Sequence, residues 1–390
     1  MKIRFITAIV ITIPALSVSA QNETDSTNMA DEMKTIHRIE VSAKPSAILH
    51  TNDYLNGTNP EKRTMNHAMS YHLKYAFSAA EDSKEAATYP GAYQGLGIAY
   101  HEFNPQLGNP ISVYLFQGAR IAKLSKRVSF NYEWNLGLTF GWNPYDMETN
   151  HENISIGSKV TAYIDADFYI KWILSRFLDL NFGMTVTHFS NGNTAMPNYG
   201  LNTAGLFLGL AYYVNRKSPD SPPTRIYTSD FERRITYDLV LFGAWRQKAT
   251  TDGTDIYPLP RKDAVIGFNF NPMYNINPWI NAGLSLDGVY DRSANIMDEI
   301  SYNRPSATKQ MALGISARAE FVMPYFTINM GVGKNFINAT GDFKGVYEIL
   351  ALKMNFTRRA FLHIGYSLYD LKKPNHLMLG FGFRFGKLSR

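Results

Sequence analysis

The chain contains no cysteine among its 390 residues. That excludes a disulfide framework and any thiolate metal site. It is also poor in charge: Asp, Glu, Lys and Arg make up 18% of the residues, against roughly 25% in an average soluble domain. After residue 20 no apolar run approaches the roughly 18 residues that a membrane-spanning helix needs. With a mean hydropathy below zero as well, a helical multi-pass membrane protein is excluded. Disorder requires few aromatics, whereas this sequence holds 24 Tyr, 24 Phe and 5 Trp. Two formats remain: one or two soluble β domains, or a large antiparallel β structure with a wall rich in Tyr and Phe. The formal charge of +6 is modest, so nucleic acid is not an expected partner.

Lys2 and Arg4 precede an almost uninterrupted apolar stretch from Phe5 to Val18, and Val18 and Ala20 suit cleavage before Gln21. A stretch of about 14 residues is shorter than the roughly 20 of a spanning helix. Residues 1–20 therefore read as a secretory signal peptide, and the product as exported. Residues 21–66 are polar and include Pro45 and Pro60. They read as an N-terminal periplasmic extension, with a short strand at Ile36–Ser42.

From residue 67 the texture changes to segments that alternate apolar with polar or small residues, separated by turn residues. That is the period-2 signature of strands. The last segment is the clearest. Leu377, Leu379, Phe381, Phe383 and Phe385 share one face, and Met378, Gly380, Gly382, Arg384 and Gly386 share the other. Leu362, Ile364, Tyr366 and Leu368 repeat the pattern opposite His363, Gly365 and Ser367. A continuous Leu/Phe face backed by a small or charged one suits a membrane barrel wall, apolar outside and crowded or wet inside. Candidate strands recur from 67–78 to 375–386. Bacterial single-chain barrels have even strand numbers, which predicts one all-β antiparallel transmembrane barrel over 67–390. About 14 strands are expected, within a range of roughly 12 to 16. A soluble β-sandwich is the disfavoured alternative.

The hairpin at 177–214 breaks the rule that the wall should be apolar. On its first strand Leu178, Leu180, Phe182, Met184, Val186, His188 and Ser190 share a face, because successive side chains point to opposite sides. On the returning strand Asn202 shares the face of Leu206, Leu208 and Leu210. His188, Ser190 and Asn202 thus meet on the greasy side, where an unpaired polar group costs about 1–3 kcal/mol. The trio is chemically coherent. A serine hydroxyl becomes a good nucleophile when an adjacent base takes its proton, and histidine is the usual base. Asn can hold the imidazole in the required tautomer, as in Cys-His-Asn enzymes. Asn191 and Gly192 follow the serine and are placed to form an oxyanion hole. A site that faces acyl chains points to a membrane-embedded acyl ester.

His188-Phe189-Ser190-Asn191, followed by Pro197-Asn198 and Gly200-Leu201-Asn202, resembles the active-site hairpin of the outer-membrane lipid A 3-O-deacylases. The resemblance implies a barrel esterase of the Gram-negative cell outer membrane that removes the 3-position acyl chain of lipid A in lipopolysaccharide. It implies His188 as base, Ser190 as nucleophile and Asn191 with Gly192 as the oxyanion hole. The third catalytic residue of that family lies fourteen positions after the histidine, where its best-known members carry Glu and this chain carries Asn202. That family is an eight-stranded barrel, so residues 232–390 are expected to add strands to one larger ring.

Other features are set aside. His101-Glu102 reads as a solvated pair beside a turn, and His363 as lumenal. Lys123, Lys126 and Arg127, with Arg358 and Arg359, read as loop or girdle charges able to meet lipid phosphates. No metal-ligand spacing is present, so no metal or cofactor is expected. The competing functions are a channel or porin, and a non-catalytic structural barrel, with His188 and Ser190 as interfacial girdle residues. Oligomeric state is left open.

Overall fold

The computed structural model describes residues 35–80, 83–217, 231–252, 255–296, 305–370 and 373–386. The expected signal peptide lies outside the described residues. Among the described residues there are sixteen strands, all paired antiparallel with their neighbours, in two closed barrels of eight. The first barrel comprises β1 (Ile36–Leu49), β2 (His67–Ser78), β3 (Tyr93–Glu102), β4 (Ile111–Lys123), β5 (Val128–Phe140), β6 (Val160–Ile173), β7 (Leu178–Ser190) and β8 (Leu201–Tyr213). The second comprises β9 (Ile235–Asp252), β10 (Asp255–Asn277), β11 (Ile280–Asp291), β12 (Met311–Val322), β13 (Phe326–Ile337), β14 (Val346–Asn355), β15 (Ala360–Tyr369) and β16 (Lys373–Phe385).

The all-β antiparallel barrel class holds, and two details of the sequence reading are corrected. Every candidate strand from residue 67 onward forms, and the short strand expected at Ile36–Ser42 is the start of β1, which runs to Leu49 and belongs to the barrel and not to a periplasmic extension. β1 pairs with β2 on one side and β8 on the other, closing the first ring. β9 likewise pairs with β10 and β16. The strands therefore make two rings of eight in place of one large ring.

The inward-facing side chains show why the rings are narrow. An eight-strand barrel leaves an interior just wide enough for side chains. In the first lumen Lys44 reaches Asp165 at 2.6 Å and Asp167 at 2.9 Å, while Thr185 and Thr187 donate to Asp165 at 2.8 and 2.7 Å. Lys74 bridges Glu40 at 2.5 Å and Glu133 at 2.9 Å. In the second lumen Lys353 bridges Asp238 and Glu320, Arg384 adds two bonds to Asp238, and Arg318 pairs with Asp287 at 2.7 Å. Burying charge costs several kcal/mol per ion unless each finds a partner and further hydrogen bonds. The lysines of both lumens meet that condition with carboxylates contributed by strands far apart in sequence. His363 is lumenal, as expected. His101 is lumenal too, contrary to its reading as solvated: it is buried between the hydroxyls of Ser70 and Ser112 at 2.8 and 2.7 Å.

The outer faces are apolar, with Phe182, Met184, Leu206 and Leu208 exposed on the first barrel and Leu241, Leu379, Phe381 and Phe383 on the second. The barrels meet along a seam. Trp134 packs on Phe326 at 5.2 Å, Tyr132 on Phe321 at 5.9 Å and Phe77 on Tyr325 at 5.9 Å between ring centroids. Gln117 shares its strand face with the exposed Val113, yet is fully buried. It accepts from Trp134 Nε1 at 2.7 Å, so its polar group is satisfied beside the seam.

Candidate active site

β7 runs up the first barrel and delivers His188 and Ser190 at the end of the wall. Its burial alternates: Asp179, Asn181, Thr185 and Thr187 are buried toward the lumen, and Phe182, Met184 and Val186 are exposed outward. His188 and Ser190 continue the outward set and are half-buried. Phe189 points inward and anchors the strand end. Its ring meets His101, Phe103, Trp142 and Tyr163 at centroid distances of 5.2, 5.8, 5.1 and 5.6 Å. Such pairs are worth about 0.5–1.5 kcal/mol each beyond area burial. The aromatic cluster fixes the register that leaves the flanking His188 and Ser190 outside.

β8 returns with Asn202 directly opposite His188. His188 Nδ1 and Asn202 Oδ1 are 2.7 Å apart. The amide oxygen can only accept, so the ring's proton sits on Nδ1 and Nε2 is left as an acceptor. Ser190 lies on the same face two residues on, and makes no hydrogen bond to His188. Catalytic hydrogen bonds of this kind often tighten only when substrate is bound.

The loop Asn191–Gly200 closes over this pair. Asn191 is committed to the loop itself: its backbone N–H donates to Asn198 Oδ1 at 3.0 Å, and its side chain donates to Ala195 O at 2.8 Å and Ser158 Oγ at 3.2 Å. Gly192 has a φ of +63°, a left-handed conformation natural to glycine. Its N–H makes no backbone hydrogen bond among the described residues. Gly200, with a φ of +75°, sits against the imidazole: a Cβ there would be 3.0 Å from His188 Cε1 and 3.7 Å from Ser190 Cβ. The neighbouring loop 141–159 braces the return through Ile154 O, which accepts from Tyr199 N at 3.2 Å, and Ser155 O, which accepts from Gly200 N at 2.9 Å.

All five residues singled out in the sequence are thus local to one strand end. Sequence reasoning missed what lies across the seam. Gln247 of β9 donates its backbone N–H to Asn193 O at 2.8 Å, and its side-chain oxygen accepts from Met196 N at 2.9 Å. Leu377 of β16 fills the space where a Gly192 side chain would be. No local signal marks either residue, because the contact is tertiary. The basic groups set aside earlier lie at the opposite end of the barrels, in the β4–β5 and β14–β15 turns. They do not border the cluster.

Fold and cluster together define a class: a membrane β-barrel with a serine, a histidine and an amide gathered where its wall meets lipid. A model described as lipid A 3-O-deacylase (PagL) matches residues 69–211, within the first barrel, and a model described as acyloxyacyl hydrolase, C-terminal domain, matches residues 235–387, the second. The chain belongs to the lipid A 3-O-deacylase family, hydrolases of the outer membrane. No curated protein matches it. Among solved structures, the outer membrane enzyme PagL is similar at 15% identity with a TM-score of 0.31, over 44% of this chain and 97% of that one. The FrpB iron transporter from Neisseria meningitidis is similar at 11% identity and a TM-score of 0.23, over 90% of this chain and 70% of that one. An outer membrane channel from Pseudomonas putida F1 is similar at 11% identity and a TM-score of 0.18, over 93% of this chain and all of that one (100%).

Proposed function

We propose that the protein removes the 3-O-linked acyl chain of lipid A by serine esterase chemistry at Ser190. The observation that carries this reading is the 2.7 Å contact of His188 Nδ1 with Asn202 Oδ1, on the same outward face as Ser190. With the proton held on Nδ1, His188 Nε2 takes the hydroxyl proton as Ser190 Oγ attacks the ester carbonyl carbon. The oxyanion that forms is met by the Gly192 N–H. Asn191, whose donors are spent within the loop, acts by shaping that loop. The tetrahedral intermediate collapses, His188 returns the proton to the departing sugar hydroxyl, and the acyl group stays on Ser190. Water, deprotonated by His188, then releases the fatty acid. Neutral Asn202 orients the imidazole but stabilises the imidazolium less than a carboxylate does.

The connections support an outward-facing site. The cluster lies at the end of the first barrel that carries loops 50–66, 141–159 and 191–200, away from the short turns 124–127 and 174–177. Outer-membrane barrels keep short turns on the periplasmic side and longer loops outside, which supports action in the outer leaflet, where lipid A resides. A channel reading has no comparable support, since both lumens are filled by paired side chains.

The test is mass spectrometry of lipid A from cells making wild type or Ser190→Ala. Wild type is expected to shorten lipid A by one acyl chain and the variant to leave it intact. Lipid A unchanged by wild type, or deacylated equally by the variant, overturns the reading.

A further inference from the structure

We infer that the second barrel is the mount of the catalytic loop, and that Gln247 is a positioning residue for the reaction. The inference rests on the reading that Ser190 and Gly192 act on the ester, and it says why a one-barrel chemistry comes with a second barrel.

β9 and β10 are the longest strands, at 18 and 23 residues. Their upper part extends beyond the other strands of the ring and reaches the first barrel, where Tyr145 OH donates to Ile256 O at 3.3 Å. The ladder between them shifts register between Pro258 and Lys262. A bulge of this kind re-aims backbone groups, and here Leu259 O accepts from Gln247 Nε2 at 2.6 Å. That bond fixes the Gln247 amide, and its Oε1 then faces the Met196 N–H at 2.9 Å. The Gln247 backbone N–H holds Asn193 O at 2.8 Å. One residue of the second barrel therefore grips the loop at two points, on either side of Thr194 and Ala195.

β16 completes the mount. Asn375 O accepts from Asn193 Nδ2 at 3.4 Å, and Leu377 lies against Gly192, with its Cγ 2.5 Å from where a Cβ would stand. Gly192 is held against the wall of the second barrel. The backbone N–H placed for the oxyanion is thus set by contacts that the first barrel does not supply. A displacement of about 1 Å at a reacting centre can cost roughly 100-fold in rate, so loosening this grip bears on the oxyanion hole of this chain.

The test uses the full chain refolded in detergent, with Gln247→Leu and Gln247→Glu compared with wild type for kcat and KM on lipid A. Heat-modifiable gel mobility reports that both barrels are closed. Gln247→Leu removes both side-chain bonds at nearly constant shape, and kcat is expected to fall roughly 10- to 100-fold with KM little changed. Gln247→Glu keeps the acceptor for Met196 N–H but loses the donor to Leu259 O, and is expected to recover part of that loss. Amide exchange at Met196 should quicken in Gln247→Leu and not in Gln247→Glu, a readout independent of turnover. Wild-type kcat and unchanged Met196 exchange in Gln247→Leu overturn the inference, as does an equal loss in both variants or a loss confined to KM. An inactive wild type with the expected exchange pattern overturns the deacylase reading and leaves the mount in place.

Discussion

The two barrels are built alike and differ where it matters for chemistry. Each closes eight antiparallel strands around a lumen of buried ion pairs, with Lys44 and Lys74 in one and Lys353 in the other. On the outer wall they part. The seventh and eighth strands of the first barrel set His188 opposite Asn202. Those of the second set Tyr366 opposite Leu377. The same ring with the same kind of core is thus a polar site in one copy and an apolar wall in the other. On the proposed reading activity belongs to a few outward residues placed on the barrel, since a barrel alone implies none. The second copy contributes contacts to the loop at the seam.

That contrast is open to attack at several points. The largest effect expected is on stability, and it should be equal in the two barrels. Lys353→Met leaves Glu320 without its lysine and Asp238 with Arg384 alone, and Lys44→Met strips the lysine from Asp165 and Asp167. Breaking a buried pair from one side costs about 3–5 kcal/mol, so urea unfolding in detergent should show a loss of that size for each. If either variant unfolds like wild type, the two lumens are not equivalent. A smaller effect separates the outer walls. Asn202→Ala frees the imidazole to rotate and should slow deacylation roughly 10- to 100-fold, while Tyr366→Ala, at the matching place on the second barrel, should leave the rate within about twofold. Equal losses in the two would mean that the wall as a whole, and not the cluster, carries the activity.

Much of this was legible in the sequence, and the omissions have physical causes. Alternation exposed the strands from β2 to β16 because each buries one face and leaves the other to lipid. The place of β1 in the barrel escaped, although a short strand was expected at Ile36–Ser42, because its inward face reads Arg38, Glu40, Ser42 and Lys44. Apart from the contact of Arg38 with Glu40, those charges are satisfied by groups on other strands, Lys74, Glu133, Asp165 and Asp167, so locally the segment looks like a solvated extension. Ring closure was illegible for a related reason: pairing of β1 with β8, or β9 with β16, is long-range and leaves no trace in strand periodicity. The cluster was legible because parity places His188, Ser190 and Asn202 on a face that should be greasy. The separate duties of Asn191 and Gly192 were not, since the loop's own hydrogen bonds decide them. Leu377 looks like an ordinary wall residue, and Gln247 opens a polar stretch that reads as a loop, until β9 is seen to continue to Asp252 and to meet the loop of the first barrel.

The central claim is that a serine on the lipid-facing wall is activated by the histidine beside it. Labelling of the folded protein with a fluorophosphonate, followed by peptide mass spectrometry, tests this most directly, because the reagent forms a stable adduct only with an activated serine. The account predicts one adduct, on Ser190, present in wild type and lost in His188→Ala. An adduct on another residue, no adduct at all, or Ser190 labelled equally without His188 would contradict it.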